Sequence, residues 1–259
     1  MKRIFPLTAV SLCAIACLTL VAVISCDGNE GILSPQQPED GARVPVGFST
    51  SVGEPTMSRA LTTDNLTSMG VFASYTGQDD WNATTSKLNF MYNQQVSRAN
   101  NSSPWTYTPV KYWPNTTTDK LSFFAYAPYV DESAAGGSTP SFQGNTVAGF
   151  PKLTYTVPTA EADQIDLLAS VPLMNRTYET TSGSVSFLLK HALTKVSVYI
   201  KSGDNVVGKK VTAFSITSAK SGTLTYHAPD AGNADDSGIQ ACMAGNRPFF
   251  GYYRAASSR

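Results

Sequence analysis

Short runs in which apolar residues alternate with polar ones are the feature that most constrains the fold of this chain. The clearest run places Val185, Phe187 and Leu189 at every second position. Because successive side chains of a strand point to opposite faces, such a run predicts a strand with one buried face. Glycine, proline and small polar residues separate the runs, as expected of turns. We therefore expect an all-β protein. Residues 160–170 are the best helical candidate, although an extended segment fits them equally well.

The first of these runs spans residues 44–52. Its apolar members share one parity and are Val44, Val46, Phe48 and Val52. Pro45 interrupts the run with a residue that has no N–H to donate to a ladder. Proline is confined to edge strands, strand starts and bulges. The run therefore predicts a first strand that lies at the edge of a sheet or begins one.

A change of phase follows the run at residues 185–189. Val196 and Val198 have the opposite parity to Leu189, so the alternation slips between residues 191 and 195. A slip of one residue turns every side chain over, which requires a bulge or a change of sheet. Strand patterns on both sides of residues 180–184 predict two all-β units, residues 43–182 and 183–259. The second region has few strand patterns, so we expect a short or incomplete domain.

The N-terminus carries a separate signal. Lys2 and Arg3 precede an apolar stretch of 22 residues, 4–25, which is long enough to span a bilayer. The stretch ends in Val-Ile-Ser-Cys, which resembles a bacterial lipobox, and acidic and amide residues follow it. A membrane anchor would more often be followed by basic residues. We expect residues 1–25 to be a lipoprotein signal peptide, Cys26 to be lipidated and residues 26–42 to be a flexible tether.

Composition and motifs exclude several functions. Without Lys2 and Arg3 the chain has 17 basic and 19 acidic residues and no basic cluster, so no nucleic-acid partner is expected. The spacing of His191 and His227 supports no metal site, and no nucleotide-binding or hydrolase motif occurs. We expect no cofactor and no enzymatic activity. Asp163 and Asp166 are interpreted as solvated acids, and His191 as a hydrogen-bonded residue at a bulge.

An aromatic-rich segment, residues 105–129, has two interpretations. Trp105, Tyr112 and Trp113 could form a platform on which sugar rings stack, because aromatic faces suit the apolar faces of sugars. The chain would then be a carbohydrate-binding surface lipoprotein. Alternatively, the aromatic residues form the core. Phe123, Phe124 and Tyr126 favour the core, since they would bury both faces of a central strand.

Several motifs together resemble the FimA/Mfa-like fimbrillin family of anaerobic bacteria. They are WTYTPVKYWP at 105–114, LSFFAYAP at 121–128, DLLA at 166–169, FLLKHALTKV at 187–196 and SRA at 58–60. The resemblance covers about residues 40–227. It implies two transthyretin-like β-sandwich domains in a structural or adhesive pilus subunit. It also implies export as a lipoprotein to the outer membrane and a surface-exposed fimbrium, with other fimbrial subunits as partners and host or bacterial surface receptors as further candidates.

The resemblance also implies a mode of assembly. An arginine-specific protease would remove the first strand, and a strand of the next subunit would fill the groove. Arg59 is the candidate cleavage site, because it lies in a polar loop after the first strand. A cut at Arg43, the other candidate, would leave that strand in place. The final residues, 242–259, do not resemble the family's second domain or its donor strand. We therefore expect a short or atypical C-terminus.

Overall fold

A computed structural model describes residues 43–53, 61–132, 140–158, 160, 163–199, 221–230, 238–243 and 250–256. It describes the backbone alone for residues 194–199, 240–243 and 250–256. The expected signal peptide, Cys26, the expected tether and Arg59 lie outside the described residues.

The described residues form short strands and one short helix. The strands are β1 Gly47–Val52, β2 Ser68–Gly77, β3 Met91–Ser97, β4 Lys120–Ala127, β5 Ser141–Phe142, β6 Lys152–Thr156, β7 Leu168–Ser170, β8 Leu173–Arg176, β9 Ser184–His191, β10 Thr194–Tyr199, β11 Ser221–Tyr226, β12 Ile239–Met243 and β13 Phe250–Ala256. Helix α1 spans Tyr178–Thr181, and a capping box between Thr177 and Thr180 starts it. The all-β prediction is confirmed.

The larger sheet has seven strands in the order β1-β9-β7-β4-β2-β3, and β8 pairs with β4. β4 lies at its centre and is buried on both faces. Leu121, Phe123 and Ala125 belong to one core cluster, whereas Phe124 and Tyr126 belong to the other. All five are fully buried, which confirms the core interpretation of this aromatic run.

A four-stranded sheet, β12-β11-β6-β5, packs against one face of the larger sheet. The cluster between the sheets combines Phe124 and Tyr126 of β4 with Leu153 of β6 and Tyr226 of β11. Tyr226 also donates a buried hydrogen bond of 2.6 Å to the carbonyl of Ala125. The other core cluster lies on the opposite face of the larger sheet and includes side chains from β1, β2, β4 and β9.

The expected boundary at residues 182/183 does not coincide with a break in hydrogen bonding. β9 lies beyond it but pairs with β1 and β7, and β11 pairs with β6. The larger sheet therefore includes residues up to His191. The division into two domains stays a prediction.

Two local expectations can be compared with the backbone. The chain leaves the larger sheet after β9 and enters a separate parallel pair of β10 and β13. The phase slip between 191 and 195 is thus a change of sheet. The described part of residues 160–170 contains β7 and no α-helix, so the extended alternative was the correct one for those positions.

Candidate functional site

β1 is an edge strand, as Pro45 predicts, and it pairs in parallel with β9. The register runs from Gly47 opposite Ser184 to Val52 opposite Leu189. The approach to the strand is held on its other side by residues 111–113. The Val46 amide donates to the Lys111 carbonyl at 2.9 Å, and the Trp113 amide donates to the Val44 carbonyl at 2.9 Å.

The apolar side chains of residues 44–52 point into the core. Val46 and Phe48 are buried, and Val44 and Val52 pack against the same cluster. The ring of Phe48 lies between three aromatic side chains. Its centroid is 5.3 Å from that of Tyr107, 6.3 Å from that of Phe123 and 5.8 Å from that of Phe187. The parity read from the sequence therefore matches the observed inward face.

The described residues on both sides of Arg59 are held to the rest of the fold. Before it, the Gly53 amide donates to the Leu189 carbonyl at 2.9 Å. After it, the Leu61 amide donates to Asp166 Oδ2 at 2.8 Å. The other carboxylate oxygen of Asp166 lies 3.0 Å from His191 Nδ1. Gly53 and Leu61 are therefore tied to β9 and to the segment before β7.

Asp166 corrects one interpretation from the sequence. Its side chain is 20% exposed and accepts a backbone hydrogen bond, so it is not a freely solvated acid. His191 is hydrogen-bonded, as expected, at the end of β9. Leu61, Asp166 and His191 are far apart in sequence, and no local pattern relates them. Only the pairing of β7 with β9 brings the last two together.

Two described arginines differ in how accessible they would be to the expected protease. Arg43 is exposed at the start of the described chain. Arg98 instead donates from Nε to the Leu66 carbonyl at 2.8 Å and from a terminal nitrogen to the Thr63 carbonyl, and its guanidinium lies over the ring of Trp105. These bonds make Arg98 a structural residue that joins the start of β2 to the end of β3.

The structure does not bring the three candidate stacking residues to one exposed surface. Trp113 is 4% exposed, and its Nε1 donates to the Gly183 carbonyl at 3.0 Å. Trp105 is half-buried, with the Arg98 guanidinium 4.6 Å from its ring centroid. Only Tyr112 is exposed, at 40%. A platform that uses Trp113 would require removing this side chain from the core.

Other classes of site can be tested on the described part of the chain. It contains no group of three or more acidic, histidine or cysteine side chains placed to hold a metal ion. Within the same ranges, no helix has both the length and the apolar character needed to cross a bilayer. The edge strand β1 therefore remains the feature to explain.

Comparison with known proteins gives a consistent result. A family described as fimbrillin-like matches residues 58–245. The fimbrium subunit Fim1C of Phocaeicola vulgatus is 30% identical over 190 residues, which are 70% of this chain and 48% of that protein. The crystal structure of a fimbrial protein from Bacteroides vulgatus ATCC 8482 has a TM-score of 0.56 and 25% identity, over 80% of this chain and 63% of that one.

The chain thus spans about half the length of the curated relative that it matches. The family match covers more than half of the chain and includes β2 to β12. The resemblance read from the aromatic and second-region motifs is confirmed, and the chain belongs to the fimbrillin-like family.

Proposed function

We propose that this chain is a structural subunit of a fimbrium, whose first strand is removed and replaced by a strand from another subunit. The observation that carries the proposal is β1 itself, an edge strand that supplies Phe48 to the core, with Val46 buried just before it. Both relatives are described as fimbrial proteins.

Removal of β1 would leave an unfavourable groove. Two buried side chains and two partly buried ones would be lost from the core, each worth about 1.5–3 kcal/mol when fully buried. The groove would therefore cost about 5–10 kcal/mol, which is comparable to the stability of a whole domain. The amides and carbonyls of β9 that pair with β1 would also lose their partners. A strand that restores both the apolar burial and the hydrogen bonds to β9 would bind by β-augmentation.

The incoming strand must match the features that β1 leaves behind. It needs apolar side chains at alternate positions, because the inward residues of β1 share one parity. The space vacated by Phe48 is lined by Tyr107, Phe123 and Phe187, so a large side chain at that position fits best. The partner is accordingly another fimbrial subunit with a strand of this pattern.

Export forms the second part of the proposal. Cys26 would carry lipid and tether the precursor to the outer membrane, and residues 26–42 would give the folded part reach. A cut after Arg59 would discard the lipid together with β1. The subunit would then be held at the cell surface, in the fimbrium, by strand exchange alone. Surface receptors are further candidate partners of the assembled fibre.

The test is N-terminal sequencing and intact mass measurement of surface protein from cells that express the wild-type chain, Arg59→Ala or Arg43→Ala. We expect a new N-terminus at Ala60 in the wild-type and Arg43→Ala proteins. The Arg59→Ala protein should keep a lipidated Cys26 and should not enter fibres. Assembled wild-type material that retains Cys26 would refute removal of the strand.

A further inference from the structure

A groove on the described part of the chain gathers several exposed apolar and aromatic side chains. Five large side chains of this kind are about two-fifths exposed or more in the described residues, and three of the five, Tyr75, Val110 and Tyr112, line this groove. The groove has a volume of about 630 Å³, within the usual range for small-molecule sites. Exposed aromatic and apolar side chains that share a concave surface with polar groups are typical of a ligand site.

The groove is built on well-anchored segments. Tyr75 lies near the end of β2, where its amide donates to Asn89 Oδ1 at 2.8 Å and its carbonyl accepts from Asn89 Nδ2 at 3.1 Å. Tyr112 is next to Trp113, whose buried indole is fixed by its bond to Gly183. The backbone at both tyrosines is therefore held in place before any ligand arrives, which lowers the entropic cost of binding.

Polar groups lie between these aromatic side chains. Asp119 is 9% exposed, and its Oδ2 accepts a hydrogen bond of 2.7 Å from the Tyr75 hydroxyl. This hydrogen bond raises the pKa of Tyr75, which therefore stays a donor. Lys111 lines the groove as well, with its Nζ 5.9 Å from the ring centroid of Phe90. The groove thus combines aromatic surface with a carboxylate and an ammonium group.

We propose that this groove binds pyranose rings of a glycan, with Tyr75 and Tyr112 against the apolar faces of the sugar and Asp119 accepting from its hydroxyls. Asp119 already accepts from the Tyr75 hydroxyl, and an apolar peptide side chain would cover its remaining exposed surface without offering a further donor, which carries a penalty. Sugar hydroxyls supply that donor, and the C–H faces of the ring cover the aromatic rings. The groove differs from the platform expected from the sequence, because Trp105 does not line it and Trp113 lies in its wall as a buried side chain, with little surface for a sugar to stack on.

The glycan site does not depend on the proposed strand exchange. Tyr75, Tyr112 and Asp119 all follow Arg59 in the chain and would stay on the subunit after a cut there. Arg43 also lines the groove and would leave with β1. Glycan binding can therefore be measured on the uncut chain, whether or not cleavage occurs.

The test applies the purified full chain to immobilised oligosaccharides that end in glucose, galactose, mannose or N-acetylglucosamine. Calorimetry then measures the affinity for each sugar that is retained. Loss of one aromatic stacking contact should weaken binding about tenfold in Tyr112→Ala. Val147→Ala changes a side chain that is equally exposed but outside the groove, and it should bind as the wild type does.

Thermal unfolding should be unchanged in Tyr112→Ala, since the side chain is exposed, so weaker binding would report the site and not the fold. Asp119→Asn provides a second measurement, with an expected loss of sugar affinity. The proposal is overturned if the wild-type chain retains no oligosaccharide, or if Tyr112→Ala and Val147→Ala bind equally well. Binding of a second protein copy in place of sugars, abolished by Tyr112→Ala, would likewise overturn it.

Discussion

At the scale of single residues, environment separates side chains of the same type. Trp113 is buried and donates to a backbone carbonyl, whereas its neighbour Tyr112 is exposed. Phe48 lies against three other aromatic rings although it belongs to an edge strand. Edge strands usually contribute less to a core than central ones do, so Phe48 should account for much of the attachment of β1.

Replacement of Phe48 by alanine should destabilise the uncut chain by about 3 kcal/mol, because deletion of a buried phenyl ring leaves a cavity. Equilibrium urea unfolding would measure the change. Ser49→Ala is the matched control at the next position, where the side chain is exposed, and it should stay within about 0.5 kcal/mol of the wild type. Equal stabilities for the two variants would contradict the buried position of Phe48.

At the scale of elements, the close packing of β2 against β4 in the larger sheet depends on a glycine. β2 and β4 pair along most of their length, and Gly70 lies opposite Tyr126. A Cβ at residue 70 would lie 2.5 Å from Tyr126 Cζ and 2.7 Å from Asn93 Oδ1. The Tyr126 ring crosses this glycine, and its hydroxyl donates to Asn93 Oδ1 at 2.7 Å. The glycine thus makes room for an aromatic side chain that links β4 to β3.

Gly70→Ala should therefore destabilise the protein by about 2–3 kcal/mol, since neither the ring nor the neighbouring strand can move without loss of packing. The midpoint of thermal unfolding is a convenient measurement. Gly144→Ala is the control, because nothing lies within 4 Å of the added Cβ. If both substitutions leave the midpoint unchanged, the ring does not cover Gly70 in solution.

The first strand should also act as a separate peptide. A chain that begins at Ala60 should bind a peptide of residues 43–53 and regain stability in thermal unfolding. The same peptide with Phe48→Ala should bind about 100-fold more weakly, which corresponds to about 3 kcal/mol. A Ser49→Ala peptide should bind as the natural one does. Similar affinities for the two altered peptides would show that β1 is held mainly by its backbone.

At the scale of the whole molecule, the larger sheet separates two apolar clusters. One of them contains Tyr126 and Tyr226, and Tyr92 packs against it. Burial raises the pKa of Tyr226 and of Tyr126. Burial, with Glu132 nearby, raises the pKa of Tyr92 to about 12. In the unfolded chain these hydroxyls ionise near pH 10. Above that pH the unfolded state loses protons that the folded state keeps, so the contribution of these tyrosines to stability is constant below about pH 10 and falls as pH rises beyond it.

Urea unfolding repeated between about pH 9 and about pH 11 should show this decline. Tyr226→Phe should lose about 1 kcal/mol at neutral pH, because it removes the hydrogen bond to Ala125, and should decline less steeply above pH 10. Tyr112→Phe, at an exposed position, is the matched control. A slope for Tyr226→Phe as steep as that of the wild type would mean that another group is responsible.

The strands were predictable where the signal is local. Alternation identified β1 and β9, and the consecutive aromatic residues of β4 indicated a strand buried on both faces. The segment around Trp105 was less informative. It makes one isolated bridge, between Ser97 and Thr106, and no strand, because turn residues on both sides stop the ladder.

The amino-acid order alone determined the all-β class, the inward parity of the first strand, its edge position through Pro45 and the family. Each is a property of neighbouring residues or of a short motif. Tertiary structure decided that β1 pairs with β9, that Trp113 is covered while Tyr112 is not, and that Asp166 joins Leu61 to His191. These depend on contacts between segments far apart in sequence, and burial is set by whatever packs on a side chain.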